Sequence, residues 1–121
     1  MSVPAPAPHE ARRSTRHAPD SPTPVVDAMG DRVLGFAMDL SAGGMKLLAS
    51  IPLVDAALYQ VHFALDLPNE GRIPLEAGVQ VVNQRPTGEG TVAGLRFIHL
   101  QGAHSQRLAR WLRARSTNGL H

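Results

Sequence analysis

The 121-residue chain has no cysteine. Neither a disulfide framework nor a cysteine-bound zinc site is available to it. Aromatic residues are only 4% of the total, few for the base-stacking surfaces that hold single-stranded nucleic acid. Charged residues make up 18%, and the formal net charge is +2. General binding to a nucleic-acid duplex normally comes with a stronger positive field, so the chain is not expected to bind one, and a small anionic ligand suits it better. No apolar run approaches the length that spans a bilayer. The start, MSVPAPAPHEA, has neither a charged leader nor an apolar block. The chain therefore reads as soluble and cytoplasmic, with no secretory signal and no membrane insertion. Lysine is almost missing too. Of 12 basic residues only Lys46 is lysine, and arginine's planar fork suits phosphates and guanine edges.

What is present suits one domain with one core, since 43% of residues are hydrophobic. Residues 1–11 alternate proline with small residues and read as a disordered N-terminal tail. Residues 12–115 read as the domain and 116–121 as a C-terminal tail. RRSTRH is followed by the breaker-rich APDSPTP, so ordered structure is expected from about Val25.

From there period-2 alternation dominates. In RVLGFAMDL, Leu34, Phe36, Met38 and Leu40 share one face; Val33, Gly35, Ala37 and Asp39 share the other. In LYQVHFALDL, the residues Tyr59, Val61, Phe63, Leu65 and Leu67 line one face. Ile73, Leu75, Ala77, Val79 and Val81 do the same in RIPLEAGVQVVN, and Leu95 and Phe97 point inward in TVAGLRFIHL. LPNEG and RPTGEG are turns. The period then changes: Leu108, Trp111 and Leu112 fall at i, i+3 and i+4 in HSQRLARWLRARS, with Arg107, Arg110, Arg113 and Arg115 largely off that stripe. This is a short amphipathic helix with Ser105 as its candidate cap, ended by TNGL. Short strands at regular spacing predict an all-β sandwich or small barrel. Closure would remove exposed edges, and the helix could plug one end with Trp111.

No catalytic apparatus stands out, and the chain is not expected to be an enzyme. The six histidines form no close ligand pair on one face, so no metal site is expected. Ser41 is not in a G-x-S-x-G elbow. GEGTVAG spaces its glycines wrongly for a dinucleotide loop and leads into a strand.

Two stretches carry binding chemistry instead. In RRSTR, Arg12 and Arg16 are four residues apart, with Arg13 beside the first, and can point the same way if the segment is helical or curled. Each bidentate contact of such a guanidinium with a guanine edge contributes about 1–3 kcal/mol. In DLSAGG, Asp39 ends a strand on its small-residue face, which can admit a flat ligand because Gly35 and Ala37 do not fill it. An ionised Asp only accepts, so it suits the N1–H and N2–H₂ edge of guanine. The Ser41 hydroxyl can hold either the turn or the ligand, while Gly43 and Gly44 permit positive φ and close backbone approach. Taken alone, DLSAGG also fits a plain hairpin.

The two stretches together, R-x-x-x-R and then D-x-S-x-x-G starting 23 residues after Arg16, resemble the PilZ domain family. AGLRFIHL and the arginine-rich terminal helix also look like its closing elements. The resemblance covers roughly residues 11 to 115. It implies a six-stranded antiparallel β-barrel with a C-terminal amphipathic α-helix, a flexible N-terminal arm and cyclic di-GMP as ligand, with no cofactor. Arg12 and Arg16 would grip phosphates and guanine Hoogsteen edges. Asp39 and Ser41 would surround a guanine, and Gly44 would permit the turn. Arg13 would be a further phosphate contact or a bystander. One departure is that HAPDSPTP stands where the family often has an apolar strand, so a looser arm and weaker binding are expected from ordering entropy.

The implied function is a single-domain cyclic di-GMP receptor. It would transmit ligand binding to an unidentified effector protein in motility, exopolysaccharide or biofilm control. The alternative is a PilZ-like interaction adaptor that does not bind nucleotide. A third reading, a small barrel for single-stranded RNA, would need exposed aromatics, whereas Phe36, Phe63 and Phe97 fall on predicted core faces.

Overall fold

Alternating apolar residues bury one face of each strand, and six such strands close on themselves. The computed structural model describes residues 15–119, with side chains through residue 116. The strands are β1 (Pro24–Asp27), β2 (Arg32–Leu40), β3 (Gly44–Ala49), β4 (Leu58–Leu67), β5 (Gly71–Thr87) and β6 (Gly90–His99), followed by helix α1 (Gly102–Gly119). They form a closed antiparallel barrel in the order β1-β2-β3-β6-β5-β4, shut by pairing of β1 with β4. Closure leaves no long free edge to pair with another chain.

The inward residues of β4, β5 and β6 are those that the alternation predicts. Val61, Phe63, Leu65, Leu75, Val79, Val81 and Leu95 are buried in one cluster. Leu108 and Trp111 of α1 join it, with Leu112 packed at its margin. Fully burying an apolar side chain of this size stabilises by about 1.5–3 kcal/mol, so these contacts fix the helix against the barrel. The helix starts earlier than expected. It begins at Gly102, whose φ is 61°, and Ser105 lies within its first turn rather than at its cap.

Strand β2 departs from the expected pattern. Leu34 and Leu40 are buried, but Phe36 is 46% and Met38 41% exposed. Two bulges cause this. The β1–β2 register jumps between Val25 and Val26, leaving Leu34 as the extra residue, and the β2–β3 register jumps between Ala37 and Asp39, leaving Met38 extra. Each extra residue resets the two-residue period. Gly35 and Ala37 therefore turn toward the core, and an added Cβ at Gly35 would lie 2.4 Å from the Leu48 carbonyl oxygen. The small-residue face is packed, not open to a flat ligand. The outward face instead carries a cross-strand row of Pro24, Phe36, Leu48 and Val92.

Order also begins before Val25. His17 and Leu40 exchange two backbone hydrogen bonds of 2.9 Å, and Ala37 N–H donates to the Thr23 carbonyl at 2.9 Å. The HAPDSPTP segment is thus tied to β2 at both ends, although no apolar strand stands there.

Candidate functional site

The hairpin between β2 and β3 is built by its own side chain. Ser41 is 1% exposed. Its hydroxyl accepts from Gly43 N–H at 3.3 Å and donates to the Gly44 carbonyl at 3.4 Å, and its backbone N–H donates to the same carbonyl at 2.9 Å. Phe97 N–H donates to the Gly43 carbonyl at 2.9 Å, fastening the hairpin tip to β6. Gly44 is required by proximity: a Cβ there would lie 2.0 Å from the Leu95 carbonyl oxygen. Its φ is not positive, so it serves strand approach and not the left-handed turn expected of it.

Asp39 stands at the outer face beside this hairpin. Arg16 Nη1 donates to Asp39 Oδ1 at 2.8 Å, with the two side chains 45% and 20% exposed. The pair joins the two sequence motifs across 23 residues. Lys46 lies opposite Asp39 in the β2–β3 ladder, and Arg96 lies opposite Gly44 in the β3–β6 ladder. The Lys46 ammonium has no hydrogen-bond or ion-pair partner among the described residues. Arg96 Nη2 donates to the neutral Gln80 Oε1 at 2.6 Å. The Asp39 carboxylate is thus paired with Arg16, with Lys46 opposite it on β3, Arg96 one strand further on β6, and the exposed Met38 next to it in the chain. Such a patch favours a ligand that carries both negative charge and a hydrogen-bond donor edge. Arg12 and Arg13 lie outside the described residues.

The segment that delivers Arg16 is held from the other side by α1. Arg115 donates to the Ala18 carbonyl, pairs with Asp20 at 2.8 Å and stacks 5.2 Å from the centre of the Trp111 ring. Ser116 Oγ lies 3.3 Å from His17 Nε2. Sequence reasoning missed Lys46, Arg96 and Arg115. The first two have a readable signal only once strand register is known. Arg115 reaches Ala18 across 97 residues, and no local pattern announces it. Among the described residues no group of three or more His, Asp or Glu could hold a metal ion. No described helix is long and apolar enough to cross a membrane.

The PilZ domain family model matches residues 10–114. The fold is similar to Escherichia coli YcgR, solved in complex with c-di-GMP, with a TM-score of 0.68 at 18% identity over 89% of this chain and 47% of that one. It is also similar to the Bacillus subtilis inhibitor of motility MotI/DgrA, with a TM-score of 0.67 at 18% identity over 88% of this chain and 51% of that one. The chain spans about half the length of each of these proteins. No curated protein matches the sequence.

Proposed function

The chain belongs to the PilZ domain family, and from that premise we infer that it is a cyclic di-GMP receptor domain that binds its ligand at the outer face around Asp39 and signals the bound state to a partner protein. The observation that carries this reading is the Arg16–Asp39 pair at 2.8 Å. It supports a binding step by exchange. The guanine N1–H and N2–H₂ donors take over the carboxylate, and Arg16 turns to a phosphate or to the guanine Hoogsteen edge. Breaking an exposed ion pair costs about 0.2–1 kcal/mol. A bidentate guanidinium contact returns about 1–3 kcal/mol, so the exchange favours the bound state.

Arg12 reaches the second phosphate or base edge, and Arg13 is a further phosphate contact. Ser41 shapes the site through the turn it closes, and Gly44 through the strand approach that brings Arg96 alongside. Lys46 and Arg96 add positive charge for the phosphates, and Met38 offers an apolar surface to the purine. The ligand is bound and not transformed, so no reaction is assigned. The motility inhibitor among the similar folds makes motility the first output to examine, ahead of exopolysaccharide and biofilm control.

Titration calorimetry with cyclic di-GMP, against GTP and cyclic GMP, tests the reading. Saturable heat with cyclic di-GMP alone is expected, reduced in Arg16→Ala. Silence with every nucleotide would favour the interaction adaptor, and a full signal from Arg16→Ala would refute the assigned site.

A further inference from the structure

A cleft of about 400 Å³ opens between α1, the hairpin tip and the arm. That volume falls within the range of about 300–1,000 Å³ found for ligand-binding clefts. Its floor is apolar, with Leu108 buried and Leu100 and Leu112 half-buried. Ala42 on the hairpin and Ala109 on the helix are both exposed, and as small residues they leave the space between them unfilled.

The rim is polar and positive. His17, Arg113 and Ser116 line it, and among the described residues no carboxylate does. Arg113 stands apart from the other helix arginines. Arg107 donates to the Pro74 carbonyl, Arg110 pairs with Glu70, and Arg115 holds Ala18 and Asp20. Arg113 is exposed, and its guanidinium has no hydrogen-bond or ion-pair partner among the described residues. Three guanidiniums on this helix fasten the fold, and the fourth lines an apolar trough with no counter-ion among the described residues.

We propose that this cleft receives a short segment of a partner protein in which an acidic residue stands next to a large apolar one. The carboxylate pairs with Arg113 at the rim, and the apolar side chain covers Leu100 and Leu112 between the two alanines. The shape favours a peptide over a small molecule. The cleft is an open trough with exposed walls, whereas small ligands are held where most of their surface is enclosed.

The proposal deepens the signalling step above and rests on that reading for its regulation. Thr15 and His17 form one wall and flank Arg16 in sequence; Ala42 forms another and adjoins Ser41. When Arg16 leaves Asp39 for the nucleotide, the Thr15 side of that wall shifts with it, while His17 stays tied to Leu40. Partner affinity thereby becomes dependent on the ligand.

Random dodecapeptides displayed on phage, selected on the full chain with and without cyclic di-GMP, provide the test. Enriched peptides should carry Asp or Glu within three residues of Leu, Ile, Met or Phe. A synthetic peptide from that set should bind at least about tenfold more weakly to Arg113→Glu, the scale of a lost charge-assisted hydrogen bond. Ala109→Trp, which fills the trough, should weaken it similarly, with Ala42→Trp as the substitute should that variant fail to fold. Arg85→Glu, an exposed arginine of β5, should leave binding unchanged. Peptides without acidic bias, binding that ignores both cleft variants, or an Ala109-dependent self-association in sedimentation would overturn the proposal. Calorimetry with cyclic di-GMP on the same variants separates the two readings. Peptide binding without nucleotide binding leaves the cleft standing and removes the receptor function, and nucleotide binding with no cleft-dependent peptide does the reverse.

Discussion

Replacing Gly44 with alanine is a demanding test of why a glycine stands in this signature. The new Cβ would sit 2.0 Å from the Leu95 carbonyl oxygen and 3.1 Å from Arg96 Cα. Real Cβ contacts stay beyond 3.0 Å, so β3 and β6 must part by about 1 Å. The strain falls on a ladder of six residue pairs running from Gly44 and Arg96 to Ala49 and Thr91. Overpacking of this kind costs about 1–3 kcal/mol, and a weakened backbone hydrogen bond about 0.5–1.5 kcal/mol. Together they give about 2–4 kcal/mol. At about 4–8 °C per kcal/mol for a domain near this size, Tm should fall by about 10–30 °C. Thermal unfolding followed by circular dichroism reads this directly. Gly88→Ala, where an added Cβ meets nothing within 4 Å, should stay within about 0.5 kcal/mol of the unmodified chain. Gly44→Asn separates the two roles for the glycine. Asn tolerates left-handed backbone, so a turn requirement would spare it, whereas crowding against Leu95 should make it at least as damaging as Ala. A Gly44→Ala protein melting within about 2 °C of the unmodified chain would refute the packing argument.

Asp39→Ala should weaken cyclic di-GMP by about tenfold or more in calorimetry, with Tm falling by no more than a few degrees, because an exposed pair contributes at most about 1 kcal/mol; a large loss of stability would place Asp39 in the scaffold instead. Ser41→Ala should cost about 1 kcal/mol, or about 4–8 °C in Tm, with a smaller loss of affinity than Asp39→Ala. Arg115→Ala should weaken cyclic di-GMP roughly threefold to tenfold, because freeing the segment at Ala18 and Asp20 raises the ordering cost of binding. Arg115→Lys should restore this only in part, lacking the planar fork. A rise in affinity on removing Arg115 would show instead that the clasp opposes ligand entry.

How much of this was legible in the sequence depended on local regularity. β4 and the inward residues of β5 and β6 could be read by eye, because Val61, Phe63 and Leu65, or Leu75, Ala77 and Val79, keep one unbroken period. β2 could not. Its two bulges turn Phe36 and Met38 outward, and a bulge is set by the neighbouring strand and not by the strand's own residues. The motif residues Arg16 and Asp39 were legible by spacing, and the fold brings them together. Lys46 and Arg96 carry no local signal, and only the ladders set Lys46 opposite Asp39 and Arg96 opposite Gly44. Arg115 read as one more cation on a helix, since its partner Ala18 lies at the opposite end of the chain. Gly44 was singled out for left-handed backbone and for close approach; only the second applies, and what it approaches is β6, some 50 residues away.

The exchange at Asp39 is tested most directly by titrating cyclic di-GMP into isotopically labelled protein and following backbone amide resonances. Saturable shifts should centre on Arg16, Asp39 to Gly44, Lys46 and Arg96, and should vanish in Arg16→Ala. Saturable shifts centred instead on the β4–β5 face around His62 and Glu76, with Asp39 and Arg96 unmoved, would contradict it.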